Sequence, residues 1–423
     1  MRSSDFGTIH IIGAGLAGLA AAVRLADSGR DVAVHEATAQ AGGRCRSYQD
    51  HATGMLIDNG THLLLSGNQA ALSYAKTIGS AESLQGTTAA EFPFIDLASG
   101  ERWTLRFGDG RFPWWVLDKG RRLPRTGVID YLPFARLAWA SGDKSIGKIM
   151  DCSGPVYERL LEPFLLAALN IAPHEGSAKL AKALIRETLA LSGQACRPLL
   201  AREGIGNVFV EPAVAHLRYR GVSVALGDEL HGVQFSGARA SQLEFDDRRI
   251  NLGENDAVIL AVPPYVATKF VPGLRAPSEF RGIVNAHFRV NPSASLPPML
   301  GVINSICQWI FTLPGRVSVT ISDAGGLFDM PREELAQAIW RDVAKIGRLS
   351  ADLPPWQIVR ERRATFAATP EQNELRPPAE TRWDNLFLAG DWTATGLPAT
   401  IESAVRSGHC AADLVGHRMQ DAA

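Results

Sequence analysis

Three glycines and one acid have the residue types and the spacing of a dinucleotide-binding site. Gly13, Gly15 and Gly18 follow a short β-branched apolar segment and precede an Ala- and Leu-rich one, and a second apolar segment ends at Glu36. The first glycine permits a tight turn, the second admits a pyrophosphate to the backbone, and the third lets a helix pack against the strand. The helix N-terminus attracts phosphate, and Glu36 accepts hydrogen bonds from a ribose diol. The pattern therefore predicts a bound dinucleotide.

Two further motifs place charged residues beside glycines. A Gly-Gly-Arg run occupies 42–44, soon after the acid. Near the C-terminus, the strand-like segment 385–389 leads into Gly390–Asp391. Pro398 then suits the first turn of a helix, and Glu402 suits the positive end of that helix.

The combination of these motifs resembles the amine oxidase and phytoene desaturase type of flavoenzyme. The resemblance implies FAD held non-covalently across both chain ends, with Arg44 at the pyrophosphate and Asp391 at the ribityl chain or pyrophosphate. A helix starting near Ala399 would face the flavin pyrimidine ring, and its dipole would favour negative charge there. Leu230 falls where this group contacts the adenine side. The residues expected to bind FAD are Gly13, Ala14, Gly15, Ala17, Gly18, Glu36, Gly43, Arg44, Gly60, Thr61, Leu230, Gly390, Asp391, Thr400 and Ile401.

Segments 58–65, 163–170 and 396–408 resemble the squalene-associated branch of this group, the hydroxysqualene dehydroxylases of bacterial hopanoid biosynthesis. Thr61 departs from the branch, in which Gln is more usual. The branch implies reductive removal of an allylic hydroxyl from a long apolar C30 isoprenoid by a flavin that an external donor reduces. His62, in a loop that approaches the flavin in related folds, is the candidate proton donor. Water or ionisation of the substrate itself are the alternatives.

Three other functions fit parts of the same pattern. A carotenoid or phytoene-type desaturase would run hydride transfer in the opposite direction on the same scaffold. An amine oxidase usually has an aromatic cage residue where this chain has Leu397 and Pro398. A non-catalytic isoprenoid-binding escort protein would not need the glycines, Glu36 and Asp391 that the chain retains.

The motifs predict an α/β fold, with a Rossmann-like FAD-binding domain and a discontinuous, mixed α+β substrate domain. Because both chain ends build one site, we expect the FAD-binding domain at 1–64, 203–268 and 381–423. The substrate-binding domain is expected at 65–202 and 269–380. The apolar segment 163–172 is too short to span a bilayer and is expected to form a buried helix that lines a pocket.

Composition excludes several classes of protein. The 423 residues include 43 Lys+Arg and 44 Asp+Glu, so the formal net charge of −1 lacks the basic surplus of a nucleic-acid binder. A mean hydropathy of −0.01, without a bilayer-length apolar run, argues against a polytopic membrane protein. Five scattered cysteines and dispersed histidines fit free thiols in a reducing compartment and predict no metal site. A cytoplasmic location is expected.

Trp114 and Trp115 stand near Lys119, Arg121 and Arg122. Aromatic and basic residues together are typical of a peripheral contact with a membrane surface. They are equally typical of core aromatics beside a solvated basic loop, and both interpretations remain open. The apolar substrate partitions into lipid, so peripheral contact with the inner face of the membrane is expected.

Overall fold

The computed structural model describes residues 7–108, 110, 114–140, 142–188 and 193–421. Its strands are β1 Ile9–Ile12, β2 Val32–Glu36, β3 Ser47–Asp50, β4 Met55–Asp58, β5 Leu63–Leu65, β6 Leu84–Gly86, β7 Glu91–Asp96, β8 Arg102–Arg106, β9 Pro198–Ala201, β10 Ser223–Leu226, β11 Leu230–Ser236, β12 Arg239–Phe245, β13 Arg249–Asn251, β14 Ala257–Leu260, β15 Phe280–Arg289, β16 Met299–Ile303, β17 Trp309–Leu313, β18 Arg316–Ile321, β19 Trp356–Phe366 and β20 Leu386–Leu388. Its α-helices are α1 Leu16–Asp27, α2 Gln69–Thr77, α3 Leu132–Ala138, α4 Glu162–Leu169, α5 Ala178–Glu187, α6 Gly206–Phe209, α7 Glu211–Tyr219, α8 Pro264–Phe270, α9 Arg332–Gly347, α10 Pro370–Glu374 and α11 Ile401–Asp421.

A five-stranded parallel sheet gathers strands from the middle and from both ends of the chain. Its order is β10-β2-β1-β14-β20. Parallel strands that are covered on both faces are continuously apolar rather than alternating, and all four residues of β1 and of β14 are buried. The Rossmann-like α/β fold expected from the sequence is thereby confirmed.

Small residues allow α1 and α11 to pack closely on one face of the parallel sheet. A Cβ atom on Gly408 of α11 would lie 2.2 Å from the carbonyl oxygen of Ala17 in α1, so no larger residue fits without separating the helices. An exposed ion pair between Arg24 and Asp413, at 2.6 Å, joins the same two helices. This packing places the two ends of the chain side by side.

A seven-stranded mixed sheet forms the second large part of the molecule. Its order is β19-β15-β18-β17-β16-β7-β8, and only β16 and β7 pair in parallel within it. Helix α9 covers one face, where Trp340 packs on Phe288 with ring centroids 5.1 Å apart. On the other face, Phe92 and Phe94 belong to a separate aromatic cluster.

The two sheets draw on different segments of the chain. All five parallel strands lie within 1–64, 203–268 and 381–423, and all seven strands of the mixed sheet lie within 65–202 and 269–380. This distribution supports the division into a FAD-binding and a substrate-binding domain. We retain that division as a proposal.

Within the described residues, no helix combines the length and the apolar character needed to cross a membrane. The apolar segment 163–172 contributes to α4, which ends at Leu169 because Asn170 adopts a left-handed φ of 51°. Leu165 and Leu169 are buried, whereas Ala167 is exposed. The helix therefore ends earlier than the sequence predicted, and it is not buried on all sides.

Candidate functional site

The turn between β1 and α1 has the backbone geometry that the glycine pattern predicts. Gly13 has a positive φ of 106°, and a Cβ atom there would lie 2.6 Å from the carbonyl oxygen of Ala261. A Cβ atom on Gly18 would lie 1.9 Å from the carbonyl oxygen of Gly13. Glycine is required at Gly13 because its φ is positive and the Ala261 carbonyl is close, and at Gly18 because the first helical turn touches the strand end.

The N-terminus of α1 is open on the side that a phosphate would approach. Its N-cap residue, Gly15, provides no side-chain cap, and the first turn contains no acidic residue. A Cβ atom built on Gly15 meets no atom within 4 Å. The first helical N–H groups and the helix dipole can therefore act on an anion that binds next to Gly15.

Glu36 lies at the end of β2, next to this turn. One carboxylate oxygen accepts a hydrogen bond from the N–H of Ala14 at 2.8 Å, and the other accepts from the N–H of Thr38 at 2.9 Å. The second oxygen also accepts from the Thr38 hydroxyl at 2.7 Å. The oxygen that faces Ala14 therefore keeps acceptor capacity for a ribose hydroxyl, and the side chain is only half-buried. The N–H of Asp228 donates to the Glu36 carbonyl at 2.8 Å, which brings the start of β11 close. Leu230, two residues further on, is buried in the core.

Arg44 reaches across the site to the other end of the chain. Its Nη2 lies 2.7 Å from Oδ1 of Asp391, and its Nη1 donates to the carbonyl of Ala364. The Asp391 side chain is 8% exposed, whereas that of Arg44 is 44% exposed. The preceding Gly42 donates its N–H to Ala14 and bridges to Gly15. The guanidinium is thus held beside the open N-terminus of α1, with much of its surface free to meet an anion.

A buried cation that sequence reasoning missed lies on the far side of Asp391. Arg376 is 6% exposed, and its Nη2 donates to the Asp391 carbonyl at 3.1 Å and to Thr395 Oγ1 at 2.9 Å. Burial lowers the pKa of Arg376 to about 10, against the opposing influence of Asp391, so the side chain remains charged at neutral pH. The residue follows α10 outside any recognised motif, and no sequence signal singled it out.

The loop after β4 is fixed by buried polar contacts. Asp58 accepts a hydrogen bond from Ser47 Oγ at 2.5 Å and another from the N–H of Ile205 at 2.9 Å. Burial raises the pKa of Asp58, and these hydrogen bonds partly offset that rise. Asn285 Nδ2 donates to the carbonyl of Asn59 at 3.3 Å. The acid thus has a structural role in fixing the loop that carries Gly60, Thr61 and His62.

Two side chains of this loop are available to a ligand. The Thr61 hydroxyl is buried and has no hydrogen-bond partner among the described residues. His62 is half-buried. Burial, with a smaller contribution from Arg44, lowers the pKa of His62 to about 4, so the ring is neutral at neutral pH. Its electrostatic coupling to Arg44 connects this loop to the Arg44–Asp391 pair.

The C-terminal helix begins later than the sequence suggested. We expected Pro398 in its first turn, but α11 starts at Ile401, and Thr400 caps it by accepting from the N–H of Ser403 at 3.1 Å. A Thr side chain that accepts from the N–H three residues ahead defines the helix start, so Pro398 lies outside it. Glu402 is in the first turn, as predicted.

Glu402 also caps a second helix. Its carboxylate accepts hydrogen bonds from the N–H groups of Ala70 and Ala71, at 3.1 and 2.9 Å, in the first turn of α2. Arg406 pairs with the same carboxylate at 2.8 Å. A buried acid at two helix N-termini is stabilised by both dipoles.

Aromatic side chains surround Phe164 on α4. Its ring centroid lies 5.0 Å from that of Phe92, 6.0 Å from Phe94 and 5.9 Å from Trp309. Unlike Phe92 and Phe94, Phe164 is only half-buried. Part of its side chain therefore remains accessible to an apolar ligand.

A family model described as flavin containing amine oxidoreductase matches residues 16–416. The chain belongs to this family. Among curated relatives, a hydroxysqualene dehydroxylase of Rhodopseudomonas palustris is 57% identical to this chain, over 96% of this chain and 98% of that protein. A hydroxysqualene dehydroxylase of Sinorhizobium fredii is 55% identical to this chain, over 96% of this chain and 97% of that protein. The solved structure of cyclohexylamine oxidase from Brevibacterium oxydans has the same fold, with a TM-score of 0.71, 18% identity and coverage of 97% and 99%.

Membership of this family confirms the resemblance seen in the motifs, and the protein is a FAD-dependent oxidoreductase. The residues present fit the cofactor. The space at Gly15 leaves room for a phosphate, and the half-exposed Arg44 offers it a positive charge. The unpartnered Thr61 hydroxyl offers a hydrogen bond to a polar ligand atom. The contacts of the individual residues with FAD stay predictions.

Proposed function

We propose that this flavin amine oxidoreductase family member removes the hydroxyl group of hydroxysqualene reductively, with release of squalene and water. The observation that carries the proposal is the 57% identity to a hydroxysqualene dehydroxylase over nearly the full length of both chains. A second such relative, from another organism, is 55% identical over the same extent.

The overall change requires a hydride and a proton. Bound FAD in its reduced form supplies the hydride for the carbon that carries the hydroxyl. The carbon–oxygen bond breaks, and the departing hydroxyl takes up a proton and leaves as water. An external electron donor must then restore the reduced cofactor. The chain itself has to bind the cofactor, orient the substrate, exclude solvent and deliver the proton.

The N-terminal half of the cofactor site binds the diphosphate and the adenosine in this proposal. The N–H groups at the start of α1, with Gly13, Gly15 and Gly18 around them, receive the pyrophosphate, and Arg44 neutralises its charge. The free acceptor capacity of Glu36 takes the ribose hydroxyls. The side chain of Leu230 is buried in the core. Its backbone is therefore the part of the residue that would contact the adenine end of FAD.

The C-terminal half positions the redox-active part. Asp391 is held on one side by Arg44 and on the other by Arg376, so its carboxylate and backbone keep one orientation. The N-terminus of α11, at Thr400 and Ile401, provides a positive dipole end for negative charge on the cofactor ring. The unpartnered hydroxyl of Thr61 would form a hydrogen bond with a polar atom of the cofactor.

His62 is our candidate for the group that donates the proton to the departing hydroxyl. With a pKa lowered to about 4, its neutral ring holds one proton on one nitrogen and can donate one hydrogen bond to the substrate hydroxyl. A general acid is most effective when its pKa lies near the working pH. The fraction of His62 that is protonated, and so can transfer a proton to the leaving hydroxyl, therefore increases as the pH falls.

The apolar substrate requires a matching wall and a route from lipid. The accessible part of Phe164, backed by the aromatic cluster on the mixed sheet, is the proposed wall. We further propose that the protein works in the cytoplasm at the inner face of the membrane, because so apolar a substrate is concentrated in the bilayer.

The deciding experiment is anaerobic turnover with the chemically reduced protein. Hydroxysqualene should give squalene, identified by mass, with one product formed per flavin oxidised. Phytoene offered to the oxidised protein is the matched control for hydride transfer in the opposite direction. Desaturated phytoene, without squalene in the first assay, would replace this proposal with the desaturase alternative.

A further inference from the structure

Large apolar side chains are exposed mainly in one short stretch of the chain. Of the eight such side chains among the described residues, five lie between 117 and 139. They are Leu117, Val128, Ile129, Leu132 and Trp139. Single exposed apolar residues are ordinary on a protein surface, whereas a concentration of them marks an interaction site.

Three of these side chains, together with Arg136, share one face of a helical segment. A 3₁₀ turn at Val128–Tyr131 leads directly into α3. Spacings of three, seven and ten residues place Ile129, Leu132, Arg136 and Trp139 on the same side of such a segment. We call these four residues the 129–139 face. Trp139 has 80% and Ile129 has 73% of its surface exposed, whereas Tyr131, on the opposite side, is buried.

The stretch around this face is basic in a chain that is otherwise nearly neutral. Residues 114–140 include five Lys/Arg and two Asp/Glu, while the whole chain has a formal net charge of −1. Both acids are occupied: Asp118 lies 3.4 Å from Arg121, and Asp130 accepts from the N–H of Gly127 at 2.8 Å. The exposed basic residues are Lys119, Arg121, Arg125 and Arg136.

The underside of the segment continues into the aromatic interior. Tyr131 packs against Trp115 with ring centroids 5.5 Å apart, Trp115 against Phe107 at 5.3 Å, and Phe107 against Phe164 at 6.2 Å. Trp115 therefore faces inward, which argues against the membrane contact that the sequence suggested for it. The side chain of Trp114 lies outside the described residues. The segment joins an exposed apolar face to the proposed substrate wall.

We propose that the 129–139 face docks the protein onto an anionic lipid bilayer. Its apolar side chains enter the interfacial region, Trp139 takes the interfacial position that indole rings prefer, and the surrounding basic residues attract acidic headgroups. The charge complementarity selects an anionic bilayer over an uncharged one. The biological reason for docking rests on the proposed function. A substrate dissolved in the bilayer would meet the docked protein at the segment that leads to Phe164.

Vesicle flotation tests the docking directly. Purified FAD-loaded protein is floated with vesicles of phosphatidylcholine alone and with vesicles of phosphatidylcholine and phosphatidylglycerol in equal parts. We expect strong binding to the anionic vesicles, weakened by added salt, and little binding to the uncharged ones. The triple variant Ile129→Ser/Leu132→Ser/Trp139→Ser should bind the anionic vesicles at least about ten-fold more weakly.

Controls separate docking from folding and from catalysis. Tyr219→Ser removes an aromatic side chain that is 87% exposed at the end of α7, and it should float like the parent. The triple variant should retain FAD and turn over detergent-dispersed hydroxysqualene at the parent rate. If the parent docks but makes no squalene, the proposed function fails while the docking stands.

Two results would overturn the docking proposal. One is equal flotation of the parent and the triple variant. The other is a parent dimer, seen by gel filtration without vesicle binding and lost in the triple variant, which would assign the face to a second copy of this chain.

Discussion

The guanidinium of Arg44 and the carboxylate of Asp391 lie 2.7 Å apart, although 347 positions separate them in the chain. This contact joins the Gly-Gly-Arg motif to the strand end that begins the C-terminal part of the site. Arg376 holds Asp391 from the other side. One charged pair thus couples the two halves of the cofactor site.

We expect Arg44→Ala and Asp391→Ala each to weaken FAD binding by about 1–3 kcal/mol, because each removes one side of a charge-assisted contact. The double variant should lose less than the sum, since the two residues act through one pair. Titration of the apoprotein with FAD, followed by flavin fluorescence, gives the affinities. Arg24→Ala breaks an exposed Arg–Asp pair elsewhere and should leave FAD affinity unchanged. Strict additivity would disprove the coupling.

Glu36→Ala should weaken FAD binding by about 1–3 kcal/mol. The variant removes the acceptor for a ribose and also leaves the N–H groups of Ala14 and Thr38 without their carboxylate. Glu36→Gln, which retains one acceptor oxygen, should lie between the parent and Glu36→Ala. The FAD dissociation constants of the three proteins check this order, and an unchanged affinity in Glu36→Ala would remove Glu36 from the site.

His62 should reveal its role through the pH dependence of turnover. Because its pKa is lowered to about 4, the protonated fraction grows about ten-fold for each unit of pH decrease above that value. A proton donor at His62 predicts that turnover by the reduced protein rises with acidity, and that His62→Gln abolishes the rise and slows turnover by roughly 10²–10⁴-fold. The variant should keep its FAD. Superimposable profiles for the two proteins would transfer the proton delivery to water or to the substrate itself.

Glu402 should matter for stability more than for cofactor binding. Glu402→Ala leaves the N–H groups of Ala70 and Ala71 without an acceptor at the start of α2, and we expect a loss of about 1–3 kcal/mol. Glu187→Ala removes the other, more exposed partner of Arg406 and should cost less than about 1 kcal/mol. The thermal midpoints of the apoproteins compare the two. Equal midpoints would contradict a capping role for Glu402.

Acid should destabilise the protein through a buried histidine in the parallel sheet. Burial, with a contribution from His35, lowers the pKa of His10 to about 4, below the ordinary value of about 6.5 in the unfolded chain. The stability due to neutral His10 is complete above about pH 6.5 and is lost, at about 1 kcal/mol per unit, as the pH falls towards about 4. Thermal midpoints between about pH 8 and pH 5 should fall less for His10→Gln than for the parent. Parallel curves would exclude this contribution.

The sequence predicted the parallel-sheet part of the fold and its ligand because the signal is local. Gly13 is needed for its positive φ, and Gly18 because it lies against the Gly13 carbonyl, so both requirements arise within the turn from β1 to α1. Glu36 follows on the next strand. Short-range constraints of this kind are visible without the rest of the chain. The start of α11 was predicted about two residues early because Pro398 is compatible with the first turn of a helix. The hydrogen bond to Thr400 that defines the start is seen only in the structure.

The sequence by itself determined the family, the cofactor and which residues carry the binding motifs. Only the tertiary structure decided that Arg44 meets Asp391, that a charged Arg376 is buried behind them, that Glu402 caps a second helix, and that Trp115 faces inward while Trp139 faces out. The physical reason is that burial and pairing depend on what packs against a side chain. The partners of Arg44 and Glu402 come from segments that are distant in the chain. Trp139 is exposed because none of the described elements covers it.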